Sequence, residues 1–199
     1  MVPTDPMEKK RKDKNMDEVL SGVGVAMVRH NLDDIPNYDL PEPYKIRCYK
    51  PGDDQTWLGI EESAEKHFTV NDDLFDDQFG DNLELLSDRQ FFICDGNGKE
   101  IGTATAWFNN NYSGLVYGLV HWVAIVPEEQ GKGLAKPLMS TVCNRLKELD
   151  YERALLNTST ARVPAINLYL KFGFVPEIRN DKDKEVWKHF KTILDAQKR

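Results

Sequence analysis

The chain has 199 residues and a formal net charge of −7, enough length for one well-filled core and the wrong sign for a surface that meets nucleic-acid phosphate. It has no apolar run near the roughly 20 residues of a membrane span, nor the apolar segment that opens a secretory leader. Cys48, Cys94 and Cys143 are odd in number and far apart, which reads as buried free thiols of a reducing, cytoplasmic compartment, with neither a disulfide frame nor a metal site.

Residues 1–20 are polar and carry the charge run 9–14, read as a flexible, solvated tail because acidic residues interrupt and flank it. A short strand or edge segment follows over 23–29, then an extended linker over 33–43 carrying Pro36, Pro41 and Pro43. The folded domain is expected over 44–199, with 21–43 as an extra strand and linker ahead of it. Within it the pattern gives a strand over 44–49, a turn at Pro51-Gly52-Asp53 and a helix over 54–66. A second helix over 71–86 is kinked or split by Gly80. Next comes a hairpin, 90–94 with 100–108, about the turn signal Asp95-Gly96-Asn97-Gly98. A polar turn over 109–114 leads into a strand over 117–126. A helix, a strand over 153–158 and a helix over 163–172 follow, then a Phe172-Gly173-Phe174 corner into a further strand. The end, 185–197, reads either as strand then helix or as one helix. The sum is an α/β (α+β) fold, a mixed sheet with antiparallel neighbours from the meander and helices on both faces.

The stretch 120–137, VHWVAIVPEEQGKGLAKP, holds most of the chemistry. Val120, Val123, Ile125 and Val126 make a buried strand that Pro127 ends. Gln130 to Ala135 then opens a helix with Leu134, Leu138, Val142, Leu146 and Leu149 on its apolar face. The first N–H groups of a helix lack internal partners and sit at the positive end of its dipole. Glycines there let the backbone approach an anion closely, so the turn reads as a pyrophosphate site. No phosphate loop of the Gly-Lys-Ser/Thr kind is present.

These residues resemble the GNAT superfamily of acyl-CoA-dependent N-acyltransferases. Its signature of Gln or Arg, two residues, Gly, one residue, then Gly or Ala is met by Gln130, Gly133 and Ala135. The later run 165–174, AINLYLKFGF, is similar to the family's last helix and its Gly-Phe corner. The two motifs stand in the family's order, and the match extends from about Tyr44 to Glu177. The resemblance implies a largely antiparallel twisted sheet, splayed at its central strands, with acetyl-CoA as co-substrate and no metal. It places the pantetheine arm along the backbone of Val123, Ala124 and Ile125. The pyrophosphate would lie on Gln130, Gly131, Lys132, Gly133, Leu134, Ala135 and Lys136, with Asn167 a further cofactor contact. Tyr169 stands where many members carry the acid that protonates the leaving thiolate, and His121 where serotonin N-acetyltransferase has a catalytic histidine. A core histidine or core tyrosine is the alternative for each. The glutamate base of the bacterial ribosomal-protein acetyltransferases is replaced here by Asn157, and a cofactor-contacting asparagine by Arg162. Arg162 reads as a phosphate contact or as an ordinary surface arginine.

The activity implied is acetyl transfer to a primary amine of a small molecule or peptide, by direct attack with general acid and base help. A non-catalytic acyl-CoA-binding module, needing neither His121 nor Tyr169, is the alternative. Asp72, Asp73, Asp76, Asp77 and Asp81, with Glu61, Glu62 and Glu65 before them, form an acidic rim that would draw a cationic amine or is simply a solvated face. Trp57, Trp107, Trp122 and Phe108 stand as pocket lining or as core. The expected partners are the amine alone, without nucleic acid or membrane, and a homodimer is left open.

Overall fold

The computed structural model describes residues 22–80 and 82–197, so the tail read over 1–20 and Asp81 lie outside the described residues. The chain folds as β1 (Gly24–Arg29), β2 (Lys45–Cys48), α1 (Asp54–Ala64), α2 (Leu74–Phe79), α3 (Leu83–Arg89) and β3 (Gln90–Cys94). It continues as β4 (Glu100–Tyr112), β5 (Leu115–Ile125), a 3₁₀ turn (Pro127–Glu129), α4 (Ala135–Glu148), β6 (Ala154–Ser159), α5 (Val163–Lys171), β7 (Val175–Pro176) and α6 (Asp181–Gln197). The strands form one seven-stranded sheet in the order β2-β3-β4-β5-β6-β1-β7. Every neighbouring pair is antiparallel except β5 and β6.

Two apolar layers sandwich this sheet. Leu138, Met139, Val142 and Leu146 of α4 pack with Ile166, Phe172 and Phe190 on one side. Trp57, Phe75, Phe79 and Leu86, from α1 to α3, pack with Phe92, Trp107 and Leu119 on the other. Strand β1 contributes to both: Val25 and Met27 enter the first layer, Ala26 and Val28 the second. Alternate side chains of a strand point to opposite faces, so an apolar run buried on both marks an interior strand.

Of the two readings of 23–29, a short strand or an edge segment, the short strand is the one found, and it is interior. β1 lies between β6 and β7, paired with both, and the sheet therefore begins upstream of the Tyr44 boundary. Arg29 at its end is buried and donates to the carbonyl oxygens of Asn31, Asp33 and Phe172. The linker after it is docked too. The Ser140 hydroxyl of α4 accepts from the Tyr38 amide at 3.1 Å and donates to the Pro36 carbonyl at 2.8 Å.

Three further boundaries move. The helix read over 71–86 as kinked or split by Gly80 is split there into two short helices, Gly80 ending α2 at a φ of 51°, and it begins at Leu74 and runs on to Arg89. The polar turn over 109–114 shrinks to Ser113 and Gly114, both at positive φ, as a two-residue hairpin on twisted strands requires. The terminal segment is one helix, α6, starting at Asp181. Cys94 and Cys143 are buried as expected, whereas Cys48, at the end of β2, is exposed.

Candidate functional site

The site begins with a fault in β5. Thr103 pairs with Ala124 and Thr105 with His121, so Ala104 alone faces both Trp122 and Val123. This is a β-bulge, and Trp122 sits in it at φ 48°, a conformation costly for a bulky side chain. The bulge turns His121 and Trp122 towards the same side, where the His121 ring lies 6.0 Å from Phe79 and the Trp122 ring 5.2 Å from Trp57. The Trp122 indole N–H donates to the Gln78 Oε1 at 2.9 Å, anchoring the strained residue.

Beyond the bulge the sheet opens. β5 registers with β6 only at Gly118 and Leu119, so Val120–Ile125 has no strand partner on that side. The sequence resemblance implied such a splay. The gap forms a cleft of about 1080 Å³ between β5, β6, α1, α5 and the start of α4.

One end of the cleft is the turn into α4. Gly131 and Gly133 hold φ of 79° and 83°, in the left-handed region that favours glycine. A Cβ at either would meet nothing within 4 Å, so the backbone there is open to a ligand. The helix starts at Ala135, the last residue of the Gln130–Ala135 opening read from the sequence, and no side chain caps it. The Gln130 side chain points back to the strand, its Nε2 donating to the Ile125 carbonyl at 2.8 Å, and so sets the turn against the open edge.

Of the residues expected at the site, His121, Val123, Ala124, Ile125, Gln130, Gly131, Gly133, Leu134, Ala135, Lys136, Asn167 and Tyr169 line this cleft. Lys132 is the exception. Its ammonium pairs with Glu129 at 2.8 Å, and Glu129 also accepts from the Tyr44 hydroxyl at 2.8 Å. Arg162 also lines the cleft and pairs with Glu65, which joins the start of α5 to the end of α1.

The two groups expected to move protons lie in different surroundings. Tyr169 on α5 is buried, and burial pushes its phenol up to about 12; Arg162 opposes the shift and Glu61 adds to it. His121 is half-buried among aromatic rings, and burial pushes its imidazole down to about 4. It therefore stays neutral near neutrality, in the form that can accept a proton or a hydrogen bond.

Sequence reasoning missed Glu61. It was read within the acidic rim, yet it is 4% exposed and lines the cleft. Its Oε1 has no hydrogen-bond partner. Burial, with Glu65 adding and Arg162 opposing, pushes its carboxyl up to about 8. The signal was present in the helix period: Glu61 stands four residues after Trp57 and three after Leu58, on the buried stripe of α1.

These two shifts give stability opposite pH slopes. Folded Glu61 keeps a proton that the unfolded chain gives up near the ordinary 4.5, so its contribution falls as pH rises from about 4.5 to about 8. Folded His121 refuses a proton that the unfolded chain takes near 6.5, so its contribution falls as pH drops from 6.5 to about 4. Thermal melts from pH 4 to 9 are expected to show Glu61→Gln flattening the fall above pH 6.5 and leaving the acid limb.

With this geometry in view, comparison with known proteins gives a family. A model described as Acetyltransferase (GNAT) family matches residues 53–174. The chain belongs to the GNAT acetyltransferase family. Among curated GNAT relatives, the mycothiol acetyltransferase of Pseudarthrobacter chlorophenolicus is 29% identical over 146 residues, covering 71% of this chain and 45% of the relative. That of Streptomyces griseus is 27% identical, covering 68% and 44%. The chain thus spans less than half the length of these relatives. Among solved structures, a GCN5-related N-acetyltransferase from Sphaerobacter thermophilus superposes with a TM-score of 0.62 at 16% identity, over 88% of this chain and 55% of that one. The ribosomal-protein-S18-alanine N-acetyltransferase of Escherichia coli gives 0.54 at 20%, over 68% and 79%. These two show that the fold is shared. The mixed, mostly antiparallel sheet flanked by helices is the GNAT fold.

No helix among the described residues is long and apolar enough to cross a membrane, and no group of three or more metal-ligating side chains occurs among them.

Proposed function

We propose that this GNAT chain transfers an acetyl group from acetyl-CoA to a primary amine of a small molecule or peptide. The observation that carries the reading is one continuous cleft. It joins the unpaired edge of β5, the open glycine turn and uncapped α4 N-terminus, and the buried Tyr169 of α5.

Each part suits a different portion of acetyl-CoA. The free edge of Val123–Ile125 offers amide groups to an extended pantetheine arm, as a strand would. The turn at Gln130–Lys136 offers backbone N–H groups and dipole to a pyrophosphate, with Lys136 adding positive charge. The thioester supplies the activated acetyl group and a thiolate leaving group. Tyr169, a cleft residue kept protonated by its burial, donates its proton to that thiolate in this reading. His121, held neutral, can accept a hydrogen bond from the amine or from a water beside it.

The curated relatives are named for mycothiol and a structural neighbour for a ribosomal-protein alanine, so both small-molecule and peptide amines belong in a test. Thiol release from acetyl-CoA should be measured against phenethylamine, putrescine, glucosamine, free amino acids and an alanine-initiated peptide. Amine-dependent release with at least one of them is expected. Tight acetyl-CoA binding without release in any case would favour a binding module instead.

A further inference from the structure

Glu61 is a carboxyl group buried to 4% exposure on a cleft wall, with one oxygen unpartnered. A helix has no structural use for such a group at this position, since an apolar residue would bury without the cost of desolvation. Its neighbours do not neutralise it. Arg162, the nearest cation with influence on it, is already committed to Glu65. A buried polar atom left without a partner in the protein is an atom available to a ligand.

The charged and titratable groups around it fix which ligand. Glu65 lies one turn further along α1, Arg162 and Tyr169 on the α5 side, His121 on β5, and Lys66 and His67 just beyond α1, all on the walls of the same cleft. The Glu61 and Tyr169 side chains are close enough for the carboxylate charge to act on the phenol. Thus a proton acceptor and a proton donor face one space, which is also bounded by the open edge of β5.

Resting on the acetyl-transfer reading above, we propose that Glu61 receives the ammonium group of the acceptor and takes the proton that frees it for attack. The acceptor is then an amine that enters as a cation. Its ammonium displaces the Glu61 proton to solvent, because an adjacent positive charge favours the carboxylate. Glu61 takes one N–H proton as the nitrogen lone pair bonds to the thioester carbon. The C–S bond breaks, its electron pair leaving on sulfur, and Tyr169 protonates that sulfur. The second N–H proton restores the phenol, so the balance is amide, free thiol and one proton released. With its own carboxyl raised to about 8, Glu61 titrates near the working pH, where general-base catalysis is most efficient.

The test uses the full chain and whichever amine of the panel is turned over. Glu61→Gln is expected to lower kcat/KM for the amine by about 10²- to 10⁴-fold with acetyl-CoA binding unchanged. It should also abolish an ascending pH limb near 8 that the wild type shows. Glu61→Asp, which keeps a titrating group, should restore part of the rate and the limb. Glu84→Gln, an exposed carboxylate on α3 outside the cleft, should match the wild type. Calorimetry with the same amine should show proton release below pH 8 in the wild type and none in Glu61→Gln. A Glu61→Gln enzyme with its rate and pH limb intact would overturn the proposal while leaving acetyl transfer standing. So would a limb that disappears in His121→Gln and survives in Glu61→Gln. A wild type that binds acetyl-CoA but acetylates nothing in the panel removes both readings together.

Discussion

Replacing Tyr169 by phenylalanine is expected to lower turnover by about 10²- to 10⁴-fold and to leave acetyl-CoA binding as it was. The change removes one hydroxyl and keeps the ring that packs 6.3 Å from Phe174, so the fold has little to lose. The loss should appear in kcat, because the hydroxyl is called on only when the C–S bond is breaking. Burial holds the phenol near 12, so the wild-type rate should show no descending limb from Tyr169 below that pH. Steady-state kinetics from pH 6 to 10, with both proteins, decide the matter. Unchanged turnover in the phenylalanine variant would remove Tyr169 from the chemistry.

A chain that starts at Tyr44 is expected not to fold, although the whole family match at 53–174 lies within it. Starting at Tyr44 takes away Val25, Met27 and Val28 of β1 and Leu32 after it, all buried in the two apolar layers. At about 1.5–3 kcal/mol for each such side chain, the deficit is roughly 6–12 kcal/mol, against a total stability of about 5–15 kcal/mol for an ordinary domain. The hydrogen bonds of β6 and β7 to β1 would be lost as well, along with the three carbonyls that Arg29 satisfies. Circular dichroism and chemical denaturation of residues 44–199 beside the full chain give the answer. A cooperative unfolding transition in the short chain would show that β6 and β7 close without the strand.

The two halves of this molecule were unequally legible. The α4 turn is local: two glycines, an apolar strand before them and an apolar helix stripe after them lie within about twenty residues, so pattern alone locates the cleft. The splay of β5 from β6 came through family likeness, and its physical device, the bulge at Trp122, left no mark that a run of apolar residues would reveal. Glu61 was hidden by company. It stands beside Glu62 and Glu65 in a charged run, and only the packing of α1 against the sheet separates the inward carboxylate from its solvated neighbour. His121 shows the reverse: its place on the cleft wall was readable, but its protonation was not, since burial among Phe79 and Trp122 sets that. For β1 the obstacle was distance. Six apolar or small residues after a polar tail read as a short strand or an edge segment because their partners lie at the far end of the chain.

That distance also orders events in time. The amide of Val23, just before β1, bonds a hydroxyl 137 positions later in the chain. During synthesis β1 is made before the other six strands of the sheet, and the strands on both its sides, β6 and β7, are made after all the rest. Loop closure over such a span carries a large entropy cost and is met only after the local hairpins and helices have formed. Until then an apolar strand waits with both edges bare, the kind of segment that pairs with other chains when they are concentrated. The polar, highly charged stretch of residues 1–20 directly ahead of it is well suited to keep that waiting strand dispersed.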